Sequence, residues 1–184
     1  MDKVFISAED LLNKSFELGI HILKSGFKPE FIVGIWRGGT PTGIAVQEIM
    51  EYYGVKTDHI AIRTSSYIGM QQQKKVKVHG LEYIIDNIES EDNLLIVDDV
   101  FDSGRSIDAL LKKIKIKCRK NTPSTIKVAT VYYKPNNNVT NIQPDFYLEE
   151  TDEWLVFPHE LVGCTEDEIK NQKGLDLPKI DISR

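Results

Sequence analysis

The sequence predicts an α/β fold, a doubly wound and mostly parallel sheet with a small hood. Three observations predict it. Short, nearly continuous apolar runs recur at 31–35, 93–97 and 125–133, and runs of that kind suit strands covered on both faces. Segments with apolar residues at helical spacing lie between them. Two unusual loops, 36–40 and 98–106, directly follow apolar runs. Loops in that position share the carboxyl edge of an α/β sheet, where ligands bind.

The elements follow in order. Ser7 is placed to cap a first helix, with Asp10 three residues on. Leu12, Phe16, Ile20 and Leu23 then fall on one face, and Gly26 and Pro29 supply the stop. The run 31–35 is a strand that ends in Trp36-Arg37-Gly38-Gly39. Thr40-Pro41 reads as an N-cap followed by proline at the first helical position. That second helix carries Ile44, Ile49 and Tyr53 and ends at Gly54. Residues 59–64 read as a strand, 65–75 as a long mobile polar loop, and 81–88 as a short helix. The strand 93–97 runs into Asp98-Asp99-Val100-Phe101-Asp102-Ser103-Gly104-Arg105-Ser106. A helix follows, with Ile107, Leu110, Leu111, Ile114 and Cys118 on one face. A further strand spans 125–133. The tail from Pro144 is less regular, with a strand-like stretch at 154–157. One domain, 1–184, is expected, with the hood formed mainly by about 141–184.

Composition narrows the function classes. A chain of 184 residues buries about 70% of its unfolded surface, enough for a core without staples. Apolar residues at 41% and charged residues at 28% exclude a disordered or fibrous chain. No apolar run approaches the ~18–20 residues of a membrane helix, and no secretory signal is visible at the start. Cys118 and Cys164 are far apart, which argues against a disulfide scaffold or a zinc site and makes a reducing cytoplasm the default. The net charge is −5, from 23 Lys+Arg against 28 Asp+Glu. That balance argues against a nucleic-acid partner, so any anion must be held by local groups. The cations of 112–120 read as the solvated C-terminus of a helix. The four histidines, His21, His59, His79 and His159, show no metal spacing. No G-x-x-x-x-G-K-[ST] occurs, which excludes a P-loop nucleotide hydrolase.

The stretch 97–106 carries the chemistry. Asp98 and Asp99 end a strand, where side chains project into a crevice. Ser103-Gly104-Arg105-Ser106 opens a helix, so free N–H groups, two hydroxyls and a guanidinium gather at a phosphate-sized site. Carboxylates beside a phosphorylated ligand suit bound magnesium or sugar hydroxyls. Residues 94–106 closely resemble the phosphoribosyl pyrophosphate motif of type I phosphoribosyltransferases. The resemblance implies that Asp102, Ser103, Gly104, Arg105 and Ser106 wrap the ribose 5-phosphate. It gives Asp98 and Asp99 the ribose hydroxyls and Mg²⁺.

Other segments extend the resemblance over most of 31–160. Arg37-Gly38-Gly39 resembles the family's pyrophosphate loop. Ser65-Ser66-Tyr67 is similar to the opening of the mobile loop in the 6-oxopurine branch. Lys134-Pro135 and the later Trp154-Leu155-Val156-Phe157-Pro158-His159-Glu160 resemble the base-binding hood of bacterial xanthine-guanine and hypoxanthine phosphoribosyltransferases. The resemblance implies that Ser66 and Tyr67 close over substrate, Trp154 stacks on the purine, and Lys134 donates to its 6-oxo group. It further implies that the Leu155 backbone reads the 2-position. Glu160 stands where aspartate is expected and is the candidate for a second magnesium.

The implied activity is purine salvage. Ribose 5-phosphate passes from phosphoribosyl pyrophosphate to hypoxanthine, guanine or xanthine, with Asp102 as general base and loop 65–78 excluding water. A homodimer or homotetramer in the cytoplasm is implied with it. The alternative is a regulator of the same fold that senses phosphoribosyl pyrophosphate and binds nucleic acid; the acidic balance and the hood argue against it.

Overall fold

The computed structural model describes residues 3–68, 74–178 and 180, with backbone alone at 66–68 and 74–75. The chain divides into two compact units, Leu12–Asp152 and Met1–Leu11 with Glu153–Arg184. The expected hood of about 141–184 overlaps the smaller unit from Glu153 onward. Residues 141–152 fall in the larger unit, and the first residues of the chain fall in the smaller one. The opening helix is also preceded by a strand.

The larger unit is built on a six-stranded sheet. Its strands are β2 (Phe31–Trp36), β3 (Asp58–Ile68), β4 (Lys74–His79), β5 (Asn93–Phe101), β6 (Thr125–Tyr133) and β7 (Phe146–Glu150). Their order across the sheet is β4-β3-β2-β5-β6-β7, and only the β3–β4 pair is antiparallel. The polar stretch expected as a loop from 65 to 75 is thus largely a hairpin. Ser65 pairs with Lys77 and Ser66 with Val76, leaving 69–73 outside the described residues. The tail expected to be irregular from Pro144 contributes the edge strand β7, anchored where the Asp145 carboxylate accepts the Val128 N–H at 2.8 Å.

Alternation along β2 explains the layering. Phe31, Val33 and Ile35 join one apolar core with residues of α3 (Glu82–Asn87) and α4 (Arg105–Cys118). Ile32 and Gly34 face a cavity of about 410 Å³ lined also by Gly43 and Ile44 of α2 (Gly39–Tyr52). Helices thus cover both faces, as expected for a doubly wound sheet. On α4 the buried residues are Ile107, Leu110, Ile114 and Cys118, close to the expected stripe.

Two other helices are turned relative to expectation. On α1 (Ala8–Lys24), Leu11, Ser15, Leu18 and Ile22 are buried, while Leu12 is 48% exposed. Ser15 can occupy that face because its hydroxyl bonds the buried Thr42 hydroxyl at 3.3 Å. The Ser7 cap holds, with its Oγ accepting the Asp10 N–H at 3.0 Å. On α2 the buried residues include Ala45, Val46 and Met50, and Ile44 and Tyr53 face solvent. This helix starts at Gly39, one residue before the expected Thr40 cap, and Gly38 caps it without a side-chain bond.

The smaller unit pairs β1 (Lys3–Phe5) in parallel with β8 (Trp154–Val156). A last helix, α5 (Glu166–Lys173), opens with a capping box between Thr165 and Glu168. The Lys3 ammonium reaches Glu168 at 2.8 Å and the Gly163 carbonyl at 2.8 Å. It holds the Glu168 carboxyl below its ordinary pKa. No described helix is long and apolar enough to cross a membrane.

The β5 core supports what lies beyond its end. Phe101 is fully buried and packs edge-on against Tyr133 at 5.6 Å. Phe101→Ala should cost about 3–5 kcal/mol, read as a lower urea midpoint at unchanged slope; a loss under 1 kcal/mol would contradict this packing.

Candidate active site

The larger unit brings two loops together at one point of the sheet. From β2 the chain goes on to β3 and β4 on one side, and β5 lies on the other. The connections after β2 and β5 therefore diverge, and a crevice opens between them. The loop after β2 lies directly against the acidic end of β5. A Cβ placed on Gly38 would fall 2.0 Å from Asp99 Oδ2, and one on Gly39 would fall 2.4 Å from the Val97 carbonyl oxygen. At Gly39 the obstacle is backbone, so glycine is required by close approach rather than by a turn; at Gly38 it is the Asp99 carboxylate, which a side chain would displace. The Trp36–Arg37 peptide in this loop is cis, and the Arg37 side chain is exposed at the loop.

The acid pair is held by backbone. Asp99 is 6% exposed, and its Oδ1 accepts the Val100 N–H at 2.8 Å. Asp98 Oδ1 accepts the Asp99 N–H at 3.1 Å, and the Gly39 N–H also bonds this carboxyl. Burial pushes the Asp98 carboxyl well above the ordinary carboxylate range, and the neighbouring Asp99 charge adds to it. Two adjacent carboxylates that resist ionising together suit a divalent cation. Among the described residues no cluster of three or more candidate ligands is present. Mg²⁺ is usually held by one or two carboxylates plus substrate phosphates.

Beyond β5 the chain turns through 102–104 into the start of α4 and makes a shallow cradle. Gly104 adopts φ 74°, the left-handed region, and caps α4. A Cβ there would lie 2.6 Å from Thr140 Oγ1 and 2.8 Å from the Phe101 ring. The N–H groups of the first turn of α4 then carry the positive end of the helix dipole. Ser106 lies in that turn, and its Oγ accepts from the Thr64 hydroxyl at 3.3 Å. Arg105 and Asp102 are exposed beside it.

Lys134 ends β6. It is 8% exposed, and its N–H donates to the Phe101 carbonyl at 2.9 Å. The following segment borders the cradle, where the Val139 N–H donates to the Ser103 carbonyl at 3.2 Å and Asn137 Nδ2 to Asp102 Oδ1 at 2.9 Å. Thr64, Asn137 and Thr140 had no motif to announce them; the sole trace is the run of asparagines after Lys134-Pro135.

The larger unit therefore gathers Gly38, Gly39, Asp98 and Asp99, and places Asp102 to Ser106 in the bend and first helical turn that follow β5. Ser66 and Tyr67 lie on β3, with their side chains outside the described residues. Trp154, Leu155 and Glu160 belong to the smaller unit. There the Trp154 ring is 52% exposed with the Lys3 ammonium 5.5 Å from its centroid, and Leu155 is buried. Glu160 Oε2 accepts the Phe157 N–H at 3.1 Å.

The raised Asp98 carboxyl makes stability depend on pH. Above about pH 4 the unfolded chain has released a proton that folded Asp98 still holds, so stability falls as pH rises from there through the folded value. Asp98→Asn should remove this loss. In magnesium-free buffer, the melting temperature of the variant relative to the parent should rise as the pH is raised from about 4. A margin independent of pH would refute the assignment.

A family model described as phosphoribosyl transferase domain matches residues 7–162. A hypoxanthine-guanine phosphoribosyltransferase of Streptococcus pyogenes is 28% identical over 148 residues, covering 79% of this chain and 77% of that relative. Among solved structures, a purine phosphoribosyltransferase from Pyrococcus horikoshii is similar with a TM-score of 0.68 at 25% identity, covering 90% of this chain and 99% of its own. A xanthine-guanine-hypoxanthine phosphoribosyltransferase from Helicobacter pylori has the same fold, with a TM-score of 0.67 at 23% identity over 95% and 100% of the two chains.

Proposed function

The chain belongs to the phosphoribosyl transferase family, and from that premise we propose that it is a purine salvage enzyme. It transfers ribose 5-phosphate from phosphoribosyl pyrophosphate to a 6-oxopurine and releases pyrophosphate. One observation carries the reading. The Arg37-Gly38-Gly39 loop closes onto the Asp98–Asp99 pair beside a helix whose first turn is open to an anion. The name of the Streptococcus pyogenes relative supports hypoxanthine and guanine as substrates; xanthine is a third candidate.

The roles follow from the chemistry of each group. The loop 102–106 and the α4 N-terminus bind the 5-phosphate through N–H groups, the Ser103 and Ser106 hydroxyls and Arg105. Asp98 and Asp99 meet the ribose hydroxyls and hold Mg²⁺, which when bound neutralises charge on the pyrophosphate. Arg37 and the Gly38 N–H stabilise the departing pyrophosphate, while the Gly39 N–H holds the Asp98 carboxyl. Asp102 accepts the proton of the purine imidazole ring. Lys134 donates to the 6-oxo group, which selects against adenine. Ser66 and Tyr67 help exclude water.

For the smaller unit only the chemistry is carried over from the resemblance. Trp154 offers an indole face to a purine, the Leu155 backbone reads the 2-position, and Glu160 is the candidate for a second Mg²⁺. Both cysteines are free, Cys118 buried and Cys164 partly so, which supports a reducing cytoplasm. A homodimer or homotetramer is carried by the resemblance alone. No observation favours the nucleic-acid-binding regulator.

The deciding experiment is a turnover assay with Mg²⁺ and phosphoribosyl pyrophosphate, offering hypoxanthine, guanine, xanthine and adenine separately. Nucleotide from one or more 6-oxopurines and none from adenine is expected. No product from any base, despite binding of phosphoribosyl pyrophosphate, would overturn the reading. Asp102→Asn should cut kcat by ~10²–10⁴; near-parental turnover would remove Asp102 as the base.

A further inference from the structure

The turn after Lys134 holds three consecutive asparagines, and each is used differently. Asn136 Nδ2 donates to Asp152 Oδ2 at 2.6 Å. Asn138 is spent inside the turn, where its Oδ1 accepts the Thr140 N–H at 2.9 Å and its Nδ2 donates to the Ile142 carbonyl at 2.7 Å. Asn137 Nδ2 donates to Asp102 Oδ1 at 2.9 Å. An ionised carboxylate only accepts, so the amide must turn its NH₂ toward Asp102.

The turn itself is tied down on both sides. The Lys134 N–H is bound by the Phe101 carbonyl at 2.9 Å, the Asn137 N–H by the Lys134 carbonyl at 3.1 Å, and the Val139 N–H by the Ser103 carbonyl at 3.2 Å. A side chain projecting from such a turn is a fixed donor rather than a floating one. Asp102, by contrast, is exposed in a bend and without a partner would rotate freely about its side-chain bonds.

We propose that Asn137 is the positioning residue for Asp102. Resting on the reading of Asp102 as general base, it names what aims that base. By holding Oδ1 the amide fixes the carboxylate plane and leaves Oδ2 for the purine. In the step it serves, the ring N–H bond breaks and its proton goes to Asp102 Oδ2. The nitrogen keeps the electron pair and bonds to the anomeric carbon, while the carbon–oxygen bond to pyrophosphate breaks and its pair leaves with pyrophosphate. Because Asn137 is three residues from Lys134, the group that reads the 6-oxo position and the group that aims the base ride on one short turn. Alignment and recognition are thereby coupled within the larger unit.

The test compares Asn137→Ala and Asn137→Asp with Asp102→Asn and Asn136→Ala, measuring kcat and KM at saturating Mg²⁺. Loss of a charge-assisted hydrogen bond should lower kcat of Asn137→Ala about 10-fold, with KM for phosphoribosyl pyrophosphate within about two-fold. Asn137→Asp is nearly isosteric, keeps the turn's shape and sets a second carboxylate against Asp102, so it should be slower than the alanine variant. Asn136→Ala should keep kcat within about two-fold, since its amide is bound to Asp152 and not to Asp102. If the aspartate variant is faster than the alanine variant, Asn137 is packing and the proposal fails. It fails too if Asn137→Ala keeps parental kcat while Asp102→Asn is crippled, and in that case the assignment of the base stands. If Asp102→Asn is itself unimpaired, the reading of the base fails first and takes the positioning role with it.

Discussion

The approach of a glycine loop to a pair of carboxylates is the constraint on which the rest of the site depends. Gly38 and Gly39 lie so close to Asp99, Asp98 and the Val97 carbonyl that no Cβ fits between them. This contact joins the end of β2 to the end of β5, the two strands between which the chain reverses its direction of building. A sheet with these strands in another order would not bring the loops together. The topology thus makes the crevice, and the missing side chains let it close.

The cradle beyond β5 obeys a similar economy. On the proposed reading its anion donors are backbone N–H groups at a helix start, which follows one left-handed glycine. Its outer wall is the segment after Lys134, held through the Phe101 and Ser103 carbonyls. Phe101 serves both: its backbone anchors Lys134, and its ring fills the core under the loop beside Tyr133. Core packing and site geometry meet in one residue, so damage to one is transmitted to the other.

What the sequence disclosed follows from the kind of force at each place. The β5 run and the α4 stripe are written in burial, which selects residue types, so both were legible. The face of α1 was displaced because a periodic stripe has a phase as well as a period. Leu11 and Leu12 both fit the period, and the buried Ser15–Thr42 bond that decides between them is visible only when both helices are placed. The β3–β4 hairpin was hidden for the opposite reason. Its ladder is made by backbone groups that every residue carries, and its serines and lysines resemble a loop. Helix α5 has no buried residue and so no stripe, although Thr165 and Glu168 mark its start. In the site, the glycines and acids had a motif to reveal them; the asparagine that touches Asp102 had none, since an amide that merely holds a neighbour can come from many positions.

The raised Asp98 carboxyl has a consequence for binding. Burial and the neighbouring Asp99 charge both favour its protonated form. A cation set against the pair would favour the opposite, ionised form. Acidity therefore opposes occupation by a cation, and the affinity of the pair for one falls as the pH falls. The hydrogen ion is in this sense a rival for the same two carboxyls.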